Sequence, residues 1–156
     1  MIIISGDQTG VERAALNAAL KNKLEINGYC IKERLAEDDI LSSKYKLIEL
    51  ETNSYSTRNE ENFKIADKML ILNISNIKFD NEKLPFIEGK ESKTIELKED
   101  FEENKDKIPL IATWIKKENV QKLFITGQKQ SNNDSVDIYN ITYTFLDNLF
   151  KILKKA

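Results

Sequence analysis

The sequence contains no histidine and a single cysteine, Cys30. The first absence removes the commonest general base and metal ligand, and the second excludes an internal disulfide or a thiolate cluster. Together they exclude Ser-His-Asp, Cys-His and His-based zinc chemistry within one chain. Long apolar runs are missing as well. None reaches the roughly 18 residues needed to cross a bilayer, and the N-terminus lacks the basic region, apolar core and cleavage site of a signal peptide. A cytoplasmic protein without a membrane partner is expected. Nor does one sign of charge dominate. With 24 basic and 26 acidic residues the formal net charge is -2, which gives no field to gather a polyanion, so no extended nucleic-acid partner is expected.

What is present suits one folded unit. At 156 residues, 40% apolar and 32% charged, the chain is long enough for a real core and is expected to form a single domain over residues 1–156. Met1 to Ile4 reads as a short buried strand, and Val11 to Lys21 as a helix with small residues along one side. Tyr29-Cys30-Ile31 is expected to form a second short strand. Ser56 to Ala66 reads as a polar helix capped from Thr52-Asn53-Ser54. Lys68 to Ile74 (KMLILNI) is the expected central strand. Ser75 to Glu91 is ambiguous, with Pro85 and Gly89 opposing a long helix. Ser92 to Leu97 alternates as a strand, Ile108 to Asn119 is helical, Val120 to Thr126 returns to strand, and Val136 to Leu153 forms a last helix. Trp114 and Phe124 are expected to pack. Strands alternating with helices predict a three-layer α/β domain with a mostly parallel sheet, whose ligands sit at the carboxyl ends of the strands. Ser5 to Gly10 and Thr126 to Ser131 fall at that edge.

The first of these stretches, SGDQTGVER, carries the most chemistry. Its glycines let backbone approach a ligand, and the helix behind it points N–H groups and partial positive charge at an anion, so Ser5, Gly6, Asp7, Gln8, Thr9 and Gly10 are candidate contacts to phosphate. No Gly-Lys-Ser/Thr follows, and no GxGxxG is present, so the loop is neither a Walker loop nor the dinucleotide fingerprint. A plain strand-to-helix turn is at least as good a reading of the bare pattern. Asp7 repels phosphate unless it points away, reads ribose hydroxyls or meets a cation; it can equally cap the helix. Arg13 either reaches back to the ligand or pairs with a neighbouring acid. A bulky residue at Gly6 is expected to abolish binding without unfolding the chain.

The ISG-x-QTG-x-x-RAAL opening resembles the putative molybdenum carrier protein family, part of a Rossmann-like superfamily that includes the Lonely Guy phosphoribohydrolases and the SLOG ligand-sensing domains. Further similar blocks follow in order: Arg34-Leu35-Ala36-Glu37, Ser54-Tyr55 with Arg58 and Asn62, Asp67 before KMLIL, Gly127 with Ser131, and Ile138-Tyr139. The resemblance thus spans nearly the whole chain and implies a Rossmann-like fold. It also brings in Arg34 and Glu37, which alone read as a solvated charge pair, as ligand contacts. Tyr55, Arg58 and Asn62 share one helical face by spacing. They offer an aromatic platform, an anion clamp and an amide reader of a base, or simply the packed side of an amphipathic helix.

The chain departs from the family in three places. Asp7 stands where a second glycine is usual. NISNIKFDNEKLPFIEGKESK replaces a Gly-Gly-Ser/Thr turn after the central strand, and the PGGxGTxxE signature of the Lonely Guy enzymes is absent. Gly127-Gln128-Lys129-Gln130-Ser131 replaces Gly-Pro-Arg-x-Ser, which exchanges a bidentate donor for the point charge of Lys129.

The expectation is therefore a non-catalytic binder of a phosphate-bearing, nucleotide-derived small molecule, with no catalytic or metal-ligating residues assigned. SLOG domains sense ADP-ribose-related signals, so the resemblance implies a stand-alone form that sequesters an ADP-ribose or cyclic-nucleotide type ligand. Carriage of molybdenum cofactor through its pterin phosphate is the alternative the family label brings. A second alternative is a Lonely Guy-like hydrolase of nucleoside monophosphates using Glu12, Glu37 or Asp67. A third is a protein-interaction module whose site has decayed. Family analogy also implies a homo-oligomer.

Overall fold

The computed structural model describes residues 1–74, 84–132 and 135–155. Five short strands, β1 (Ile2–Ile4), β2 (Glu25–Asn27), β7 (Lys68–Ile74), β8 (Ser92–Leu97) and β9 (Lys122–Gly127), form one sheet in the order β2-β1-β9-β7-β8. All its pairings are parallel, with Ile3 opposite both Ile26 and Leu123, and Leu70 opposite Ile125. Parallel strands covered on both faces are apolar without alternation, which is why KMLILNI is central. The helices are α1 (Val11–Lys21), α2 (Tyr55–Ile65), α3 (Lys107–Lys117) and α4 (Ile138–Lys155). This is the three-layer, Rossmann-like α/β fold expected.

The direction of each crossover decides the layers. The chain moves outward from β1 to β2 in one direction and from β7 to β8 in the other. Right-handed crossovers in opposite directions leave the sheet on opposite faces. Accordingly α1, α3 and α4 share one face, packed around Ile3, Leu72, Ile111, Phe145 and Phe150. On the other face Phe63 of α2, together with Leu84 and Ile87, covers Ile4, Met69, Ile71 and Phe124. The alanines Ala14, Ala15, Ala18 and Ala19 are fully buried, so α1 lies close against the sheet and α4. Asp147 of α4 holds the end of α1, accepting from Lys21 at 2.9 Å and Asn22 at 2.8 Å.

The short strand expected at Tyr29-Cys30-Ile31 forms over Tyr29 and Cys30, but it does not enter the main sheet. Glu25–Asn27 does, and its only apolar residue, Ile26, gives too brief a pattern to be read as a strand. The chain then turns at Gly28 (φ 134°), where a side chain would collide with the Ser5 carbonyl. Tyr29–Cys30 becomes β3, which pairs with β6 (Ile48–Glu49) in a separate ribbon. Between them Leu35–Ala36 (β4) and Asp39–Ile40 (β5) form a small antiparallel hairpin. Leu41, Tyr45 and Leu47 fasten this region to Leu16 and Cys30. Val11–Lys21, Lys68–Ile74 and Ser92–Leu97 form as expected, and the remaining boundaries shift by at most two residues. Of the ambiguous segment Ser75 to Glu91, residues 75–83 lie outside the described residues.

Candidate functional site

Because β1 and β9 are neighbours, their following loops meet at the carboxyl edge of the sheet. The Ser5 hydroxyl donates to the Ile125 carbonyl at 2.6 Å and ties the first loop to β9. Gly10 (φ 77°) lets the loop press against the backbone of Gln128 to Gln130, where a Cβ has no room. The Val11 amide donates to the Gln128 carbonyl at 3.0 Å. Gln128 also acts through its side chain, whose Oε1 accepts from the Ile74 amide at 2.6 Å at the end of β7. Gly127 is required by contact, since a Cβ there would collide with the Leu72 carbonyl and Val11.

Beneath the loop lies a buried ionic cluster. The Arg58 guanidinium donates to Asp7 Oδ1 at 2.9 Å and to Glu12 Oε2 at 2.8 Å, and all three side chains are at most 4% exposed. Asn59 Oδ1 accepts from the same guanidinium at 2.7 Å, and Thr126 donates to Glu12 at 2.9 Å. Burial pushes the Asp7 carboxyl above its ordinary pKa, against the pull of Arg58. Its second oxygen, Oδ2, is buried without a hydrogen-bond partner among the described residues. Tyr55, Arg58 and Asn62 do share a helical face, as their spacing predicts, and that face looks at the underside of the loop. Arg58 is thus engaged by carboxylates, with its guanidinium 4.8 Å from the Tyr55 ring centre. Asn62 is bound to the backbone of Tyr29, accepting from its amide at 2.7 Å. The expectation for Gly6 is also corrected. A Cβ there would sit 2.5 Å from Arg58 Cζ, so a side chain strikes the cluster and threatens the fold.

The β4–β5 hairpin arches over the loop. Arg34 supports it from behind, donating to the carbonyls of Ser42 (3.0 Å), Tyr45 (2.8 Å) and Leu47 (3.2 Å). At the hairpin tip Asp38 pairs with Arg13 at 2.9 Å, and Arg13 also donates to the Asp7 carbonyl. That pairing holds the Asp38 carboxyl below its usual range. Glu37 accepts from the Thr9 hydroxyl, from the Ser131 hydroxyl and from the Ser131 amide at 3.0 Å, with Lys129 Nζ at 3.9 Å. Burial raises its pKa, but these donors outweigh burial and leave the carboxyl below its ordinary value. Gln8 Oε1 accepts from the Glu37 amide at 2.9 Å.

Beside the hairpin is a cleft of about 330 Å³ lined by Thr9, Gly10, Arg13, Asn17, Asp38, Tyr45, Gln130 and Tyr139. Asn17 bridges its two phenols, accepting from Tyr45 and donating to Tyr139, both at 2.7 Å. Tyr139 is stacked on Tyr143, with ring centres 5.8 Å apart.

A family model described as the circularly permutated YpsA SLOG family matches residues 3–150. The chain belongs to this SLOG family. The fold is similar to the crystal structure of a protein from Syntrophus aciditrophicus SB named "Putative molybdenum carrier protein", with 28% identity and a TM-score of 0.76. The likeness covers 97% of this chain and 93% of that one. No functionally curated protein matches the sequence significantly. The molecule is a SLOG, molybdenum-carrier-like protein, and the resemblance read from its motifs holds.

In this SLOG chain, Ser5 to Gly10, Arg13, Glu37, Lys129 and Ser131 come together at one edge of the sheet. Tyr55 and Arg58 support that edge from beneath, Gly127 shapes it, and Arg34 and Asn62 bind backbone nearby. Sequence reading missed Asn17, Asp38 and Tyr45, and it took Glu12 only as an acid for catalysis. Asn17 lies two helical turns beyond Gly10 on α1, and that spacing was the available signal. Tyr45 had none, because the loop that presents it is irregular. Among the described residues no group of three His, Cys, Asp or Glu side chains is placed to hold a metal ion. Also among them, no helix is long and apolar enough to cross a membrane.

Proposed function

We propose that the protein holds a small phosphate-bearing, nucleotide-derived molecule at the carboxyl edge of β1 and β9 without transforming it. The observation that carries this reading is the cleft itself. Thr9, Gly10 and Arg13 furnish a polar end beside the opening of α1, and Tyr45 and Tyr139, joined through Asn17, furnish aromatic walls. Phosphate suits the first and a planar base suits the second. Two of the three acids weighed for catalysis are engaged elsewhere, and the third, Glu37, is held by Thr9 and Ser131. Glu12 is fixed by Arg58 and Thr126, and Asp67 accepts the amides of Gln121 and Lys122 at the start of β9. Sequestration of an ADP-ribose or cyclic-nucleotide type signal is the form of binding this favours.

Carriage of molybdenum cofactor is a second reading, supported by the name that the similar Syntrophus protein carries. Its pterin and phosphate would use the same two halves of the cleft. One experiment separates the readings. The purified protein is incubated with ADP-ribose, its cyclic isomers and nucleoside monophosphates, freed of unbound ligand and denatured, and the released molecule is identified by mass spectrometry. Intact ligand near one per chain supports sequestration. Product beyond one per chain replaces the reading with hydrolysis. Release of a molybdopterin, from protein made in cells that synthesise it, favours the carrier. Homo-oligomerisation belongs to the same proposal, and light scattering at several concentrations tests it.

A further inference from the structure

The carboxylate of Glu37 has an unusual setting for a residue at the tip of a hairpin. Three donors converge on it from two different loops: the Thr9 hydroxyl from the β1–α1 loop, and the Ser131 amide and hydroxyl from the turn after β9. The Lys129 ammonium stands at 3.9 Å. Hydroxyls, a backbone amide and an ammonium arranged around one point are the donors that bind a phosphoryl group. The Thr9 hydroxyl is itself oriented, because it accepts from the Gln130 amide at 3.1 Å. Glu37 is joined to the body of the domain by hydrogen bonds and ion pairs, and the two strands of its hairpin are two residues each. The hairpin tip is half-exposed, and the Leu35–Ile40 pair at the base of the hairpin is exposed as well. It is therefore held over the site by polar contacts that another anion can replace.

We infer that Thr9, Lys129 and Ser131 form a seat for a phosphoryl oxyanion, and that Glu37 occupies this seat as an internal stand-in until ligand displaces the hairpin. This rests on the binding reading above and adds a mechanism to it. A phosphate offers these donors more acceptor oxygens than a carboxylate does, and as inorganic phosphate or a monoester it carries more charge toward Lys129. The competition between them lowers the apparent affinity by the fraction of molecules whose seat is open. The Arg13–Asp38 pair opens with the hairpin, which frees Arg13 toward the same ligand.

The test titrates ADP-ribose and inorganic phosphate into wild-type protein, Glu37→Ala and Glu37→Gln by calorimetry. Hydrogen exchange of residues 35–41 is followed with and without ADP-ribose. The seat predicts that Glu37→Ala binds ADP-ribose about tenfold more tightly or better, that Glu37→Gln lies between, and that ligand speeds exchange of the hairpin amides in the wild type. Wild-type binding with equal or weaker binding by Glu37→Ala overturns the stand-in while leaving the binding reading intact. Slower hairpin exchange on adding ligand overturns it also, because the hairpin would then be closing over the ligand. Silence of all three proteins toward both probes overturns the binding reading and the seat together.

Discussion

Replacing Arg58 by Met tests the buried cluster directly. The substitution keeps most of the side-chain volume and removes the guanidinium that contacts two carboxylates, which are 0% and 2% exposed. Removing one partner of a buried pair costs about 3–5 kcal/mol, because the remaining charge is desolvated and unpaired. Here two such charges remain, and they repel each other. The loss is therefore expected at the upper end of that range at pH 7. Part of it returns on acidification. Asp7 already titrates above its unfolded value, and removing the pull of Arg58 is expected to raise it further. The folded variant then binds more protons than the unfolded chain, so its stability rises as pH falls through that raised pKa. Urea denaturation followed by the fluorescence of Trp114, at pH 7 and pH 5, reads both effects. A loss under about 1 kcal/mol at pH 7, or an equal loss at both pH values, would refute this account of the cluster.

Gly6→Ala is expected to destabilise the wild type by about 1–3 kcal/mol through overpacking against Arg58, and to be close to neutral in an Arg58→Ala background. A double-mutant cycle showing simple additivity would contradict that contact. Lys21, Asn22 and Lys151, all donating to Asp147, hold its carboxyl at about 2 despite burial. This depressed pKa contributes about 2 kcal/mol above the unfolded pKa, and the contribution is lost as pH falls through the folded one. Asp147→Asn should therefore lower the urea midpoint at pH 7 and flatten the acid limb of the stability curve between pH 4 and 2. Arg13→Ala and Tyr139→Ala are each expected to weaken ADP-ribose binding about tenfold or more with the melting temperature little changed. Unaltered affinity in both would move the site away from the cleft.

The layers and the central strands were legible because burial on two faces leaves an unmistakable apolar run, as in KMLILNI, and because alanines at helical spacing mark α1. The Glu25–Asn27 strand was not, since an edge strand three residues long shows one apolar side chain and no period. The composition of the site was readable in part. The glycines of SGDQTG were found, but their reason differs: Gly6 makes room for Arg58, and Gly10 for the backbone of Gln128 to Gln130. Sequence treats a glycine-rich loop and a carboxylate as features of a ligand site. Which of them face inward depends on a residue 51 positions away, as the Asp7–Arg58 pair shows. The alignment of Tyr55, Arg58 and Asn62 was predicted by helical spacing, whereas the direction of that face is a tertiary fact that spacing does not contain.

Gln128 fixes which parts of the site can move. Its carbonyl holds the first turn of α1 and its side chain holds the last rung of β7, so three elements converge on one residue that has no freedom left. The floor of the seat is thereby anchored to the sheet, whereas the hairpin tip opposite it is held through the side chains of Glu37, Asp38 and Gln8. Guest exchange at this edge resembles a latch working against a doorpost: entry and departure rates should follow the strength of the contacts made by Glu37 and Asp38.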